Sequence, residues 1–591
     1  MKLKQLTSKA NLGLLGAILA LGADPARGEA VDPRTNSWFT ANAGRYARIY
    51  TNDTMQAAGT ALTTWSNGSQ TQANPAYCGV QAAYSSANWA YVRSTGLAGY
   101  TMGPWQNGSF PNLPVNQKSL YRVPRSTSVP AAKSITEGGA IGVFVDGVAM
   151  FNSWDAFTWS PNAQADEGNI TGYWNRDAYV NEGPTFDPGF AHQQNTGVYH
   201  YHASPIALRY LLGDHVLFNA ATGVYSEDTS PPTAHSPLLG WVADGFPVYG
   251  PYGYATATNA ASGVRRMISG YVLRNGQHGT SNLAVTGRAT LPAWAVRLYG
   301  VGASQAGPGV STSYPLGRYM EDNDYLGDLG GTQGVDFDLD EYNGRFCVTP
   351  EFPGGTYAYF VAIATNGIPL FPYNIGRGYY GSPTGGSVQT ITETVATNFT
   401  GGPLAAPWLA NPVVTNGTVT LTWSAAEGGA YQVLSSTNLA SWITNATGIA
   451  ATENSAAYSS SPTAADLSYR VALTSLATYD PVGTGSGGTP AGLAVPGGSV
   501  SRGSGTNVTL VITLTAPPML PPAGAPITSV TLGGLAATSM SDATSGVVAA
   551  TFTIPANAAT GPQTVVVTFG PPPGMSQGPS WTFTGGFTIN P

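Results

Sequence analysis

From Leu404 to about Ser475 the chain is written in short apolar–polar alternations, "VTLTW", "YQVLSS" and "SYRVAL", each stopping at Gly, Asn or Ser. Alternation with period two turns one face of an extended segment to a core and the other to water, and stops this frequent suit strands. A mainly β fold follows. The segment reads as a fibronectin- or immunoglobulin-like sandwich over 400–480. "GTGSGGTPAGLAVPGG" reads as a flexible linker over 481–499, and "NVTLVITL", "ITSVTLGG", "VVAATFTIP" and "QTVVVTF" as a second sandwich over 500–591. Neither module carries a chemical motif, so both read as spacers or adhesion units.

The front of the chain is richer in aromatics and turns, with strands such as "GAIGVFVDGVAMF" and "YAYFVAIA". It reads as an irregular β-rich domain with a few short helices, divided into 31–137 and a histidine-bearing 138–385. One helix is expected in "SPIALRYLLGDH", with Ser204 as cap, Pro205 in the first turn and Gly213 at the end.

Only 9% of the 591 residues are charged and the net charge is −7, with no basic run in the mature region, which excludes a nucleic-acid footprint. Residues 1–30 combine Lys2, Lys4 and Lys9 with an apolar run from Leu12 to Ala23, the pattern of a signal peptide. That run falls short of the ~20 residues a spanning helix needs. The expectation is a secreted or periplasmic protein that is not transmembrane and begins, when mature, between Asp24 and Asp32. In that compartment Cys78 and Cys347 are allowed a disulfide, which sequence leaves open.

All six histidines fall between Phe190 and Gly279. Two sit in "GVYHYHASP", where His200 and His202 share one face of a strand and Tyr199 and Tyr201 the other. A His-x-His strand supplies two nitrogen ligands from one rigid element, and a third would come from His192 or His235. Asp244, in "HSPLLGWVADGFPVYGPYGY", could ligate, orient an imidazole or act as a base. Neutral imidazoles suit zinc, copper, iron or nickel, with zinc or copper the expected ion. His278 reads as a loop residue, and His215 as a partner of the preceding helix's last carbonyls. A blue-copper site is excluded because no histidine follows Cys347. In "GVDFDLDEYNGRF", Glu341 stands where a calcium-binding EF-hand loop needs Gly, so the acids read as hydrogen-bonded or solvated. "GTYAYF" at 355–360 echoes "GVYHYH" with Ala358 and Phe360 in place of the histidines, so the strand itself does not require them.

Together, "GVYHYHASP", "HSPLLGWVADGFPVYGPYGY", "GAIGVFVDGVAMFN" and "LDEYNGRFCVTPEFPGGTYAYF" resemble the YHYH-domain proteins, over about 138–380. The resemblance implies an exported bacterial protein and marks His192, His200, His202, His235, Asp244 and Glu351. The last and Asp244 are the candidate catalytic carboxylates. Many relatives carry a Cys shortly before the position of His192, whereas "FDPGFAH" has none, so a disulfide clamp at that loop is not expected here. The expected function is transition-metal binding at a histidine cluster; as a metal-dependent enzyme, the site would use an open coordination position to activate water or a small-molecule substrate. The competing expectation is an extracellular polysaccharide-binding or adhesion protein whose histidines are structural.

Overall fold

The computed structural model describes residues 32–482 except 68–69, 106–111 and 462–467, and beyond them 499–501, 507–513, 527–540, 547–569 and 580–590. The expected leader over 1–30 and most of the expected linker over 481–499 lie outside the described residues. The fold is mainly β, with many antiparallel sheets and a few short helices. Among the described residues no helix is long and apolar enough to cross a membrane.

An eight-stranded mixed sheet forms the centre. Its strands in chain order are β1 (Ala140–Phe144), β2 (Ala149–Phe151), β3 (Ala191–Gln193), β4 (Tyr199–Tyr201), β5 (Leu238–Val242), β6 (Pro247–Tyr249), β7 (Gly344–Cys347) and β8 (Thr356–Phe360). Across the sheet they run β3-β4-β2-β1-β5-β6-β8-β7. This order reads the same from either edge if the first four strands are exchanged for the last four.

The registers obey the same exchange. Gly142 faces Val242 and Gly240 faces Phe144 in the central antiparallel pair. Tyr201 faces Met150 in the parallel pair β4·β2, and Tyr359 faces Val248 in the parallel pair β8·β6. Even the irregularity early in each hairpin recurs, between Ala140 and Gly142 and between Leu238 and Gly240. The sheet is therefore two repeats of one four-stranded unit. Each opens with an Asp-Gly hairpin, "VDG" at 145–147 and "ADG" at 243–245. Gly147 and Gly245 adopt φ of 83° and 85°, in the left-handed region that favours Gly. Both closing strands bury their residues on both faces, which explains why "YHY" and "TYAYF" are almost wholly aromatic or apolar.

The repeats differ at their turn aspartates. Asp244 accepts from the Tyr359 hydroxyl at 2.6 Å, from Gly381 N at 2.9 Å and from Phe246 N at 3.1 Å. Tyr201, the counterpart of Tyr359, instead bonds the Tyr100 hydroxyl at 2.7 Å. Asp146 is left with Val148 N on Oδ1 and no partner on its buried Oδ2. Burial pushes the Asp146 carboxyl up to about 7. The folded chain then holds a proton there that the unfolded chain releases near pH ~4, so this group's contribution to stability falls as pH rises from ~4 through ~7. Asp146→Asn keeps the Oδ1 acceptor and cannot ionise. Denaturant titrations at pH 5 and pH 8 should show the variant losing less stability than the parent over this interval, by about 1–3 kcal/mol. Parallel pH dependences would refute this account of Asp146.

Residues before the repeats are not a separate unit. The strands Val80–Ser85, Trp89–Ser94 and Ser119–Pro124 form a five-stranded sheet whose two edges are Gly386–Ser387 and Ala396–Thr400. The boundary expected between 385 and 400 thus cuts through a sheet. The described strands between Val413 and Leu476 form two three-stranded antiparallel sheets around Leu421, Trp423, Tyr431 and Val433. They are not a loosely tethered spacer. Buried Glu427 accepts from Tyr46 N at 2.9 Å and from Arg48 Nη2 at 2.8 Å, and Asp480 accepts from Gln72 Nε2 at 3.0 Å and Asn116 Nδ2 at 3.1 Å. The final stretch contributes a five-stranded and a three-stranded sheet through its described strands.

In "SPIALRYLLGDH" the helix spans Ile206–Leu211, but Ser204 does not cap it: its hydroxyl accepts from Arg209 Nη1 at 3.2 Å. Arg209 is buried between Asp214 and Glu227, and satisfying that guanidinium has taken the serine. Cys78 and Cys347 are buried, unbonded thiols.

Candidate metal centre

The antiparallel pair β3·β4 sets His192 directly opposite His200. His202 follows β4 and returns to the same face, two residues on. Each imidazole is at most 4% exposed, and one ligand atom from each lies within 4.8 Å of the others. Among the described residues this is the one group of three or more potential ligands.

The hydrogen bonds on the outer side of each ring fix its tautomer. His200 Nδ1 donates to the Val198 carbonyl at 2.9 Å and His202 Nδ1 to the Asn152 carbonyl at 2.6 Å. A carbonyl only accepts, so both Nδ1 atoms carry hydrogen. His192 Nδ1 meets the Thr185 hydroxyl at 2.9 Å, and that hydroxyl donates to the Glu182 carbonyl at 2.5 Å, so it accepts from the ring. In the neutral imidazoles, Nε2 is then the lone-pair atom in all three rings. His200 Nε2 and His202 Nε2 stand 3.0 Å apart. Two lone pairs at that separation repel unless a proton on one ring or a metal ion lies between them. Around a metal with ~2.1 Å bonds, neighbouring nitrogens are ~3.0–3.4 Å apart, which this spacing meets.

The pocket is walled by aromatic rings. Phe151 stacks on His200 with centroids 3.9 Å apart, and Phe186 sets its ring edge-on to His192 at 4.8 Å. Burial, with His200 and His202 beside it, holds the His192 pKa well below the usual histidine range, and burial does the same to His200. Burial alone would depress His202 too, but the Glu182 carboxylate and the Asn152 carbonyl outweigh it and the net shift is upward.

Sequence reasoning missed Glu182. It ends the short helix Ala178–Glu182, whose first turn is capped by Asp177 accepting from Val180 N at 3.0 Å. Its Oε2 lies 3.2 Å from His202 Nε2 and 3.7 Å from His192 Nε2, buried and without a hydrogen-bond donor. The available signal was its position: it is the sole carboxylate between Asp177 and Asp187, and it precedes a helix-stopping Gly-Pro one short loop before His192.

Residues 120–371 match the family model of the YHYH protein. The chain carries a YHYH domain. The match spans both four-stranded repeats, starting earlier and ending sooner than the 138–385 read from sequence. No curated protein matches the chain.

Within the YHYH domain the other marked residues lie apart from the triad. His235 packs against Tyr249, Tyr254 and Phe360 with centroids 5.1, 4.8 and 5.8 Å away, on the second repeat, and its Nδ1 donates to the Ser236 carbonyl at 2.7 Å. Asp244 holds the second hairpin turn. Glu351 accepts from the Tyr249 hydroxyl at 2.7 Å. None of these three is in the histidine group. The register of β7·β8, Arg345 opposite Ala358, makes Arg345, Ala358 and Phe360 the second repeat's counterparts of His192, His200 and His202. That set has no imidazole, so the centre belongs to one repeat only.

The tyrosines of the motif face the other way. Tyr199 donates to Asp187 Oδ2 at 2.5 Å, and both Tyr199 and Tyr201 bond the Tyr100 hydroxyl at 2.7 Å. Their role is to anchor the strand. The acids of "GVDFDLDEYNGRF" are likewise satisfied: Asp338 takes Arg265 at 2.6 and 2.7 Å, and Asp340 takes the Tyr357 hydroxyl at 2.8 Å. His215 bonds the Ser230 carbonyl at 2.5 Å rather than the helix end, and exposed His278 sits in a turn with φ of 53°.

Proposed function

We propose that the YHYH domain binds a divalent transition-metal ion through Nε2 of His192, His200 and His202, in a protein exported from the cytoplasm. The observation that carries this reading is the convergence of three Nδ1-anchored imidazoles, with the Nε2 atoms of two of them 3.0 Å apart. Outer partners that fix the tautomer and aim the lone pair are the usual support of a histidine ligand. The widest spacing within the group exceeds one polyhedron edge, so a bound ion draws the rings together. Three protein nitrogens leave room for a further ligand, where a bound metal would polarise water or a small substrate.

The expected result is a metal-dependent melting temperature. Chelator should lower it by several degrees, because an ion bound at ~100 times its Kd adds about 2.7 kcal/mol. A melting curve indifferent to both chelator and added zinc would count against metal binding.

A second reading, glycan or cell-surface adhesion, is favoured by one surface. Tyr210 and Phe218 are exposed, with centroids 5.5 Å apart, beside exposed Leu217 and Val224. The fibronectin-like character of the tail suits the same role.

A further inference from the structure

We infer that Glu182 is the fourth, anionic ligand of the centre, making it a three-histidine, one-carboxylate site for divalent ions of the manganese-to-zinc series rather than for copper(I). The inference rests on the metal-binding reading above and extends it.

A carboxylate beside a histidine cluster commonly serves as an outer partner, accepting from the ring nitrogen that does not ligate. Here those positions are filled, by Thr185, Val198 and Asn152. Glu182 instead faces the Nε2 atoms, on the side where an ion would sit. Its Oε2 is a buried acceptor without a donor. The atom nearest to it among the histidines, His202 Nε2 at 3.2 Å, has a lone pair when the ring is neutral. One cation resolves both conflicts, the facing nitrogens and the facing nitrogen and oxygen. A proton on His202 Nε2 would do so in part, but it points along one direction and leaves His192, 3.7 Å from the same oxygen, outside the arrangement. A metal ion accepts all four groups.

The donor set then restricts the ion. Three neutral imidazoles and one carboxylate contain no thiolate or thioether, the donors that select copper(I), and an oxygen donor extends the range towards manganese. The carboxylate also gives the site its polarity. The Glu182 side chain is 27% exposed while those of His192 and His202 are 3% and 4%. The anionic ligand therefore stands on the solvent side, where an incoming cation meets it first, and the imidazoles lie behind it.

The test is titration of metal-stripped full-length protein with zinc(II) and with manganese(II), comparing the parent with Glu182→Gln, Glu182→Asp and His200→Ala. The expected result is that Glu182→Gln, which keeps shape and loses charge, weakens zinc by more than ~10-fold, the lower end of what losing even an outer partner costs, and manganese by more than zinc. Glu182→Asp should fall between Gln and the parent for both ions, which guards against a folding defect specific to Gln. Glu182→Gln binding both ions as tightly as the parent would overturn the assignment while leaving the histidine reading intact. A parent that takes up neither ion would overturn both.

Discussion

His200→Ala should abolish the proposed metal dependence of the melting temperature, whereas Tyr199→Phe should preserve it. His200 contributes one of three lone pairs and holds its ring in a Phe151 stack, so its loss removes a ligand and empties the space between β4 and Phe151. Losing one ligand of so few should lower affinity by orders of magnitude, with loss of the ~2.7 kcal/mol of linked stability expected at saturating metal. Tyr199 lies on the opposite face, and its hydroxyl serves Asp187 and Tyr100. Removing that hydroxyl costs about 1–3 kcal/mol with or without metal. Melting curves of parent and both variants, with and without chelator, separate a loss of ligand from a loss of packing. Chelator sensitivity surviving in His200→Ala, or vanishing in Tyr199→Phe, contradicts the assignment of faces.

A chain ending after Pro383 should fail to reach the native fold, and one ending after residue 482 should keep it. The shorter chain loses both edge strands of the five-stranded sheet, Gly386–Ser387 and Ala396–Thr400. It also loses Ile391, buried between Tyr91 and Leu120, and Glu393, which receives the Tyr91 hydroxyl at 2.5 Å. The buried carboxylate of Glu427, with its bonds to Tyr46 and Arg48, goes as well. Burial of Ile391 alone stabilises by about 2 kcal/mol, and two unpaired sheet edges invite aggregation. Together these losses are comparable to the ~5–15 kcal/mol net stability of a whole domain. Size-exclusion chromatography and thermal melts of the two chains check this; a monomeric 383-residue chain melting with the parent would mean that the later segment is dispensable.

What was legible in the sequence follows from which interactions are local. Period-two alternation and turn residues mark strands one at a time, so the β class and the tail sheets could be read directly. His200 and His202 share a face by strand geometry alone, and His192 joins them because the loop after it is short enough to return as a hairpin. The duplication was half visible: "GVYHYH" and "GTYAYF" carry it, and so do the hairpins "VDGVAMF" and "ADGFPVY", whose kinship lies in position rather than composition. The strand Ala396–Thr400 was not legible, since it is largely exposed and pairs with residues some three hundred positions earlier. Asp244 drew attention as a carboxylate among aromatics and Glu351 through the family resemblance, and each accepts from a buried tyrosine hydroxyl, Tyr359 and Tyr249 respectively. Glu182 went unnoticed for the opposite reason. The one signal in "YVNEGPT", a lone carboxylate at a helix stop, gains meaning only when the helix end is placed over the histidines.

The central claim is that His192, His200 and His202 hold one ion in common, and the most direct measurement is the metal count per chain. Full-length protein prepared without a histidine tag, stripped of metal and given one equivalent of zinc(II), should show by native mass spectrometry a single retained ion, and His200→Ala treated in the same way should show none. A parent that remains metal-free, or a variant that retains the ion as the parent does, would contradict it.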